Sequence, residues 1–184
     1  MNNAIMTLNT AADDKALSMM EPLVERSVWV CEASLAARPF ADGSALAEAL
    51  METIYRSGIS RQRALFGVHP ELAGSEALAG RMTAASTGEQ ARLGLLALSQ
   101  EEAARLATLN AAYRARFGYP FIIALHRVPD LGALFETFAR RLNHSALEEH
   151  ALTLAEIASV IESRVNRLFG GSPASSLAQA ETLE

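Results

Sequence analysis

The sequence predicts an all-α fold, a compact bundle of about seven to eight helices in a single domain. Three observations carry that expectation. Ala and Leu supply 35 and 25 of the 184 residues, whereas Val and Ile together supply 14. Ala and Leu lead the helix scale, while β-branched residues favour strands. Apolar residues also recur at spacings of three and four, the period of a helix with one buried face. The length suits one domain and needs no staples, since a chain of about 150 residues buries roughly 70 % of its unfolded surface.

The elements follow in order. The first dozen residues read as weakly ordered. Pro22 is placed to open a helix at its first position, with Val24, Val28, Cys31 and Leu35 on one face. Pro39 stops it, because proline disfavours helical geometry in the preceding residue. A second segment starts at Ser44–Glu48 and ends near Gly58. Ser60–Val68 is a short helix leading into His69-Pro70-Glu71-Leu72, where Pro70 can begin another. Ser86 and Glu89 have capping-box spacing ahead of Leu93, Leu95 and Leu96. Ser99 and Glu102 repeat that spacing, and their helix carries Leu106, Leu109, Tyr113 and Phe117 on one face. Gly118 and Pro120 stop it. Phe121–Leu125 is a short apolar run, read as a buried extended stretch or the start of a turn. Asp130 caps a segment to about Leu142. The last long helix spans about 145–168, with Leu154, Ile157, Ile161, Val165 and Leu168 inward. Residues 1–169 are expected to form the helical domain, and 170–184, small, polar and interrupted by Pro173, a flexible tail.

Several function classes drop out. The longest uncharged run is too short and too polar to span a membrane. No secretory signal is expected: the first basic residue is Lys15, and no apolar stretch follows it. One cysteine, Cys31, supports neither an internal disulfide nor a Cys-rich metal site. A net charge of −5 argues against nucleic acid as a partner. With one cysteine and no signal, the cytoplasm is the expected compartment. His126, His144 and His150 share no ligand spacing, so no metal is expected.

Three positions stand out for chemistry. His69 lies between a helix end and Pro70, which sets an imidazole on a rigid corner; it reads as a general acid–base group or as a turn histidine held by local bonds. Ser86-Thr87-Gly88-Glu89-Gln90 offers a carboxylate and an amide at a helix start, or simply caps that helix. Arg164 falls on or beside the buried face of the last helix, where it either pairs with an acid or clamps an anionic substrate.

These residues, in order, resemble a known family. Trp29-Val30, Arg38-Pro39-Phe40, His69-Pro70-Glu71-Leu72, Ser86 to Gln90, Leu109 to Ile122 (LNAAYRARFGYPFI) and Arg164 are similar to the pattern of 2-oxo-4-hydroxy-4-carboxy-5-ureidoimidazoline (OHCU) decarboxylases, over about 8–168. Two departures are visible: Tyr119 stands where the family usually has Phe, and Arg92-Leu93-Gly94-Leu95 where Ala-Gly-Leu is frequent. The resemblance implies an all-α enzyme that decarboxylates the ureidoimidazoline to (S)-allantoin, the last step of urate degradation, with no cofactor. It implies His69 as acid–base residue and Glu89 as the group positioning ring or imidazole. It also implies a pocket of Pro70, Ser86, Thr87, Gly88, Glu89, Gln90, Phe121, Ile122, Ile123, Ala124 and Leu125, with Arg164 gripping substrate oxygens. A related ureide-processing enzyme, or a non-catalytic helical interaction module, would use the same scaffold. The family often dimerises, and the composition fits a monomer or a homodimer.

Overall fold

The structure, a computed structural model, describes residues 3–170, and the expected tail beyond them lies outside the described residues. Ten α-helices and three single 3-10 turns make up the regular structure, with no strand among the described residues. The helices are α1 (Asn3–Thr10), α2 (Asp13–Met20), α3 (Val28–Ser34), α4 (Gly43–Arg56), α5 (Ile59–Gly67), α6 (Ser75–Leu78), α7 (Ala84–Arg92), α8 (Gln100–Phe117), α9 (Leu131–Arg141) and α10 (Ala146–Phe169).

The all-α expectation holds, and the long helices begin and end where their punctuation puts them. Ser99 and Ser145 each close a capping box, with Glu102 and Glu148 reaching back to the cap. Asp42 and Asp130 accept from Ala45 N–H at 3.0 Å and from Ala133 N–H at 2.8 Å. Gly118 ends α8 at φ +82°, the left-handed geometry that favours glycine.

Helix α10 packs against α4, α1 and the 3-10 turn Glu21–Leu23. Leu46, Leu50 and Ile54 of α4 face this core with Ile157, Ile161 and Val165 of α10, all nearly inaccessible to water. Each such side chain contributes roughly 1.5–3 kcal/mol by leaving water. Gly43 lets the two helices approach: a Cβ there would sit 3.1 Å from Val165 Cγ1. A second, aromatic part of the core stacks Phe121 on Phe138, their centroids 3.8 Å apart, with Tyr113 edge-on to both.

Several local expectations are corrected. The N-terminal residues 3–10 are helical rather than loose, because Ile5 and Leu8 are fully buried. Pro22 sits in a single 3-10 turn, Val24 is extended, and α3 starts only at Val28. Pro70 opens no helix; the chain stays irregular until Ser75. Ser86 is not a cap but lies inside α7, whose N-cap is Thr83. Leu168 is 43 % exposed, and Phe169 takes the inward place at the end of α10.

Candidate active site

His69 follows α5, and its Nδ1 lies 2.9 Å from the Leu65 carbonyl oxygen. A carbonyl only accepts, so Nδ1 carries the proton of the neutral ring and Nε2 keeps its lone pair. Burial pushes the imidazole below its ordinary value, and Arg164 adds to that. The Leu65 carbonyl and the carboxylates of Glu25 and Glu89 pull the other way. The ring is therefore a neutral base at physiological pH.

The loop after His69 has no secondary structure of its own and is held by side chains. Gln90 accepts from Ala73 N–H at 2.9 Å and donates to the Glu71 carbonyl at 3.3 Å. Asn110 donates to the Leu72 carbonyl at 2.9 Å, and Arg114 pairs with the Glu71 carboxylate at 2.8 Å. Helix α7 places Ser86, Glu89 and Gln90 three and four residues apart on one face. Arg164, on α10, is 3 % exposed and engages Glu89 through Nε and Nη2, both at 2.8 Å. Burial alone would lower its pKa, but the carboxylates of Glu89 and Glu25 raise it above the ordinary value.

The fourth wall is the segment 121–125. Residues 121–124 carry no regular secondary structure and Leu125 enters a 3-10 turn, so the expected start of a turn is realised at Leu125. Charged side chains hold it from behind. Arg141 donates to the Ile122 carbonyl and Glu156 accepts from Ala124 N–H, both at 2.8 Å, while Arg92 donates to the Leu125 carbonyl. The peptide N–H groups of Phe121, Ile122 and Ile123 and the carbonyl of Ile123 take no partner among the described residues.

These walls line a small concavity of ≈ 40 Å³, tighter than the usual range for small-molecule sites. His69, Pro70, Ser86, Glu89, Gln90, Phe121, Ile122, Ile123, Leu125 and Arg164 all line it, as the sequence led us to expect. Three expected residues do not. Thr87 is turned outward and bonds back to the Thr83 carbonyl, Gly88 faces open space, and the Ala124 N–H is spent on Glu156. Leu72 and Val160 line the concavity without having been singled out. Tyr119 does not reach it; its ring lies in the aromatic core against Phe66 and Tyr113.

Sequence reasoning missed Glu25. This carboxylate is 3 % exposed and accepts from Ser86 Oγ at 2.7 Å and from Thr83 Oγ1 at 3.1 Å. Arg164 reaches it at 3.4 Å. Arg164 is thus gripped by two acids, and its structural-pairing alternative is realised. Among the described residues no cluster of three or more His, Cys, Asp or Glu is placed to hold a metal.

Fold and concavity together define a small all-α enzyme domain with a neutral imidazole, a carboxylate–guanidinium pair and unspent peptide groups facing one pocket. Residues 9–166 match the family described as OHCU decarboxylase, and the chain belongs to that family; it is a carboxy-lyase. A 2-oxo-4-hydroxy-4-carboxy-5-ureidoimidazoline decarboxylase of Bos taurus is 36 % identical over 83 % of this chain and 85 % of that protein. The protein of the same name from Amia calva is 31 % identical over 88 % of this chain and 92 % of its own length. A crystal structure of OHCU decarboxylase in the presence of (S)-allantoin superposes with a TM-score of 0.65. It covers 88 % of this chain and 100 % of that one, and at 15 % identity it speaks for the fold alone.

Proposed function

We propose that this chain removes CO2 from 2-oxo-4-hydroxy-4-carboxy-5-ureidoimidazoline and returns allantoin of one hand, the (S) form, at the end of urate degradation. The observation that carries this reading is that neutral His69 and the Glu89–Arg164 pair line one concavity whose wall at 121–125 keeps unspent peptide groups. In the substrate, one ring carbon bears the hydroxyl and the carboxylate, and its neighbour is a C=N carbon bearing the ureido arm. When the C–CO2 bond breaks, its electron pair forms a C=C bond to the neighbouring carbon, and the C=N π pair moves onto the nitrogen, which takes a proton. The hydroxyl then gives up its proton to become a carbonyl, and the neighbouring carbon gains one. One CO2 leaves and one proton is taken up overall. The substrate supplies its own electron sink.

Neutral His69 is suited to take the hydroxyl proton and to deliver a proton to one face of the ring. Glu89, fixed by Arg164, positions the ring or the imidazole. Arg164 offers its Nη1 edge to substrate oxygens as its 3.4 Å contact with the Pro22 carbonyl gives way. The Ile123 carbonyl suits the N–H groups of the ureido arm, and the Ile122 and Ile123 N–H groups suit its carbonyl oxygen. The partner is this small molecule, with no nucleic acid, consistent with a net charge of −5. No helix among the described residues is long and apolar enough to cross a membrane, and the cytoplasm is the proposed compartment. Homodimer assembly is proposed on the family resemblance alone.

The test generates the ureidoimidazoline in situ from oxidised urate and follows optical activity by circular dichroism. Wild-type protein should give a fast signal of one sign, and His69→Asn should leave only the slow, racemic course with an unchanged helical spectrum. A folded wild type that leaves the racemic course unaltered refutes the reading.

A further inference from the structure

Glu25 lies in the turn before α3, its hydrogen-bond partners are 58 to 139 residues away, and it bridges three elements. It takes the Ser86 hydroxyl at 2.7 Å and the Thr83 hydroxyl at 3.1 Å, both at the start of α7, and Arg164 of α10 at 3.4 Å. A buried carboxylate is a poor choice for stability alone, because desolvation offsets much of its Coulombic gain. Ser86 and Thr83 could satisfy local backbone without it.

The charge count is the informative part. One guanidinium, Arg164, meets two carboxylates: Glu89, which lines the concavity, and Glu25, which lies behind it. On the outer side of His69, Arg114 pairs with Glu71, and Arg26 pairs with Glu76 and stands 3.9 Å from Glu25. The charges that act on the His69 ring itself are the carboxylates of Glu25 and Glu89 and the guanidinium of Arg164, two acids against one base, so they favour a second proton on the ring.

We propose that Glu25 is a positioning residue of this site: it fixes Arg164 and Ser86 from behind, and its charge stabilises the imidazolium formed when His69 takes a proton from substrate. This rests on the acid–base role proposed for His69. Such fixed charge, aimed at a cation that exists only during the reaction, favours the transition state over the ground state.

The experiment measures kcat and KM from pH 5 to 9 for wild type, Glu25→Gln, Arg26→Gln and His69→Asn, with a melting curve for each. Glu25→Gln keeps the shape and an acceptor oxygen while removing the charge. It should lower kcat by about tenfold or more. It should also move the acid limb of kcat/KM to lower pH, by about half a unit. Arg26→Gln, on a half-exposed side chain, removes a partial neutraliser and should move that limb to higher pH. Opposite shifts are not expected of two residues that merely support the fold. Should Glu25→Gln not fold, the Arg26→Gln limb decides alone. Limbs that stay at the wild-type pH in every folded variant overturn the proposal. If His69→Asn keeps the activity and the acid limb, the proposed role of His69 fails instead, whatever Glu25 does.

Discussion

Gln90 shows how a single side chain can set the geometry of the whole site. Its carboxamide spends both ends on the loop that carries His69 and Pro70, and the residue is 2 % exposed. Gln90→Leu would keep the bulk and leave the Ala73 N–H and the Glu71 carbonyl without these partners. We expect kcat/KM to fall about 100-fold, the loss that follows a misplacement of about 1 Å, while the helical spectrum stays the same. A loss below threefold would mean that Asn110 and Arg114 hold the loop without it. The central residues His69, Glu89 and Arg164 were legible because ordered short motifs flag them. Glu25 was not: its partners lie 58 to 139 residues away, and no local spacing marks an acid whose role exists only after folding. Tyr119 was legible as a departure, but its place was not; the structure puts it in the aromatic core.

At the scale of elements, the segment 121–125 is the least helical part of the site and the most dependent on others. Arg141, 1 % exposed, donates to the Ile122 carbonyl at 2.8 Å, stacks 4.4 Å over the Phe121 ring and pairs with fully buried Glu149. Tyr113 and His144 complete the shell of Glu149. Replacing Arg141 alone by Leu leaves Glu149 buried and uncompensated, which costs about 3–5 kcal/mol. Replacing both by Leu should cost less than Arg141→Leu alone, yet still raise KM, because Ile122 loses its anchor in either protein. Urea unfolding with parallel kinetics checks this; single-variant costs that simply add would remove the coupling. The apolar run was legible here but not its conformation, because periodicity cannot separate a short buried strand from a turn. Helix starts failed where two candidate caps competed. Thr83 and Ser86 are both good cap residues, and only the tertiary contact of Ser86 with Glu25 puts Ser86 inside the helix. Ser99 and Ser145, without such competition, cap their helices with complete boxes.

For the molecule as a whole, composition sufficed for the fold class, because Ala- and Leu-rich helices leave little to build strands from. It could not reveal how the imidazoles couple folding to pH. His69, His126 and His150 all have pKa values pushed below the ordinary 6.5, in each case mainly by desolvation. Above about pH 6.5 both folded and unfolded chains hold these rings neutral, so they leave stability unchanged. As pH falls below that value the unfolded chain binds protons that the folded chain still refuses, and stability declines until the folded rings titrate as well. Exposed His126 should contribute least because solvent screens it, and His69 most. Glu102 and Glu148, depressed by their capping bonds to Ser99 and Ser145, act only in a lower window, as pH falls through the carboxylate range. The thermal midpoint should therefore be level from pH 8 to 7 and fall between pH 6.5 and 5, before carboxylates titrate. His69→Asn should flatten that fall while abolishing activity. A midpoint that stays level down to pH 5, or falls as steeply in His69→Asn, would mean that the His69 ring is not held neutral by the fold. The acid limb of catalysis would then need another owner.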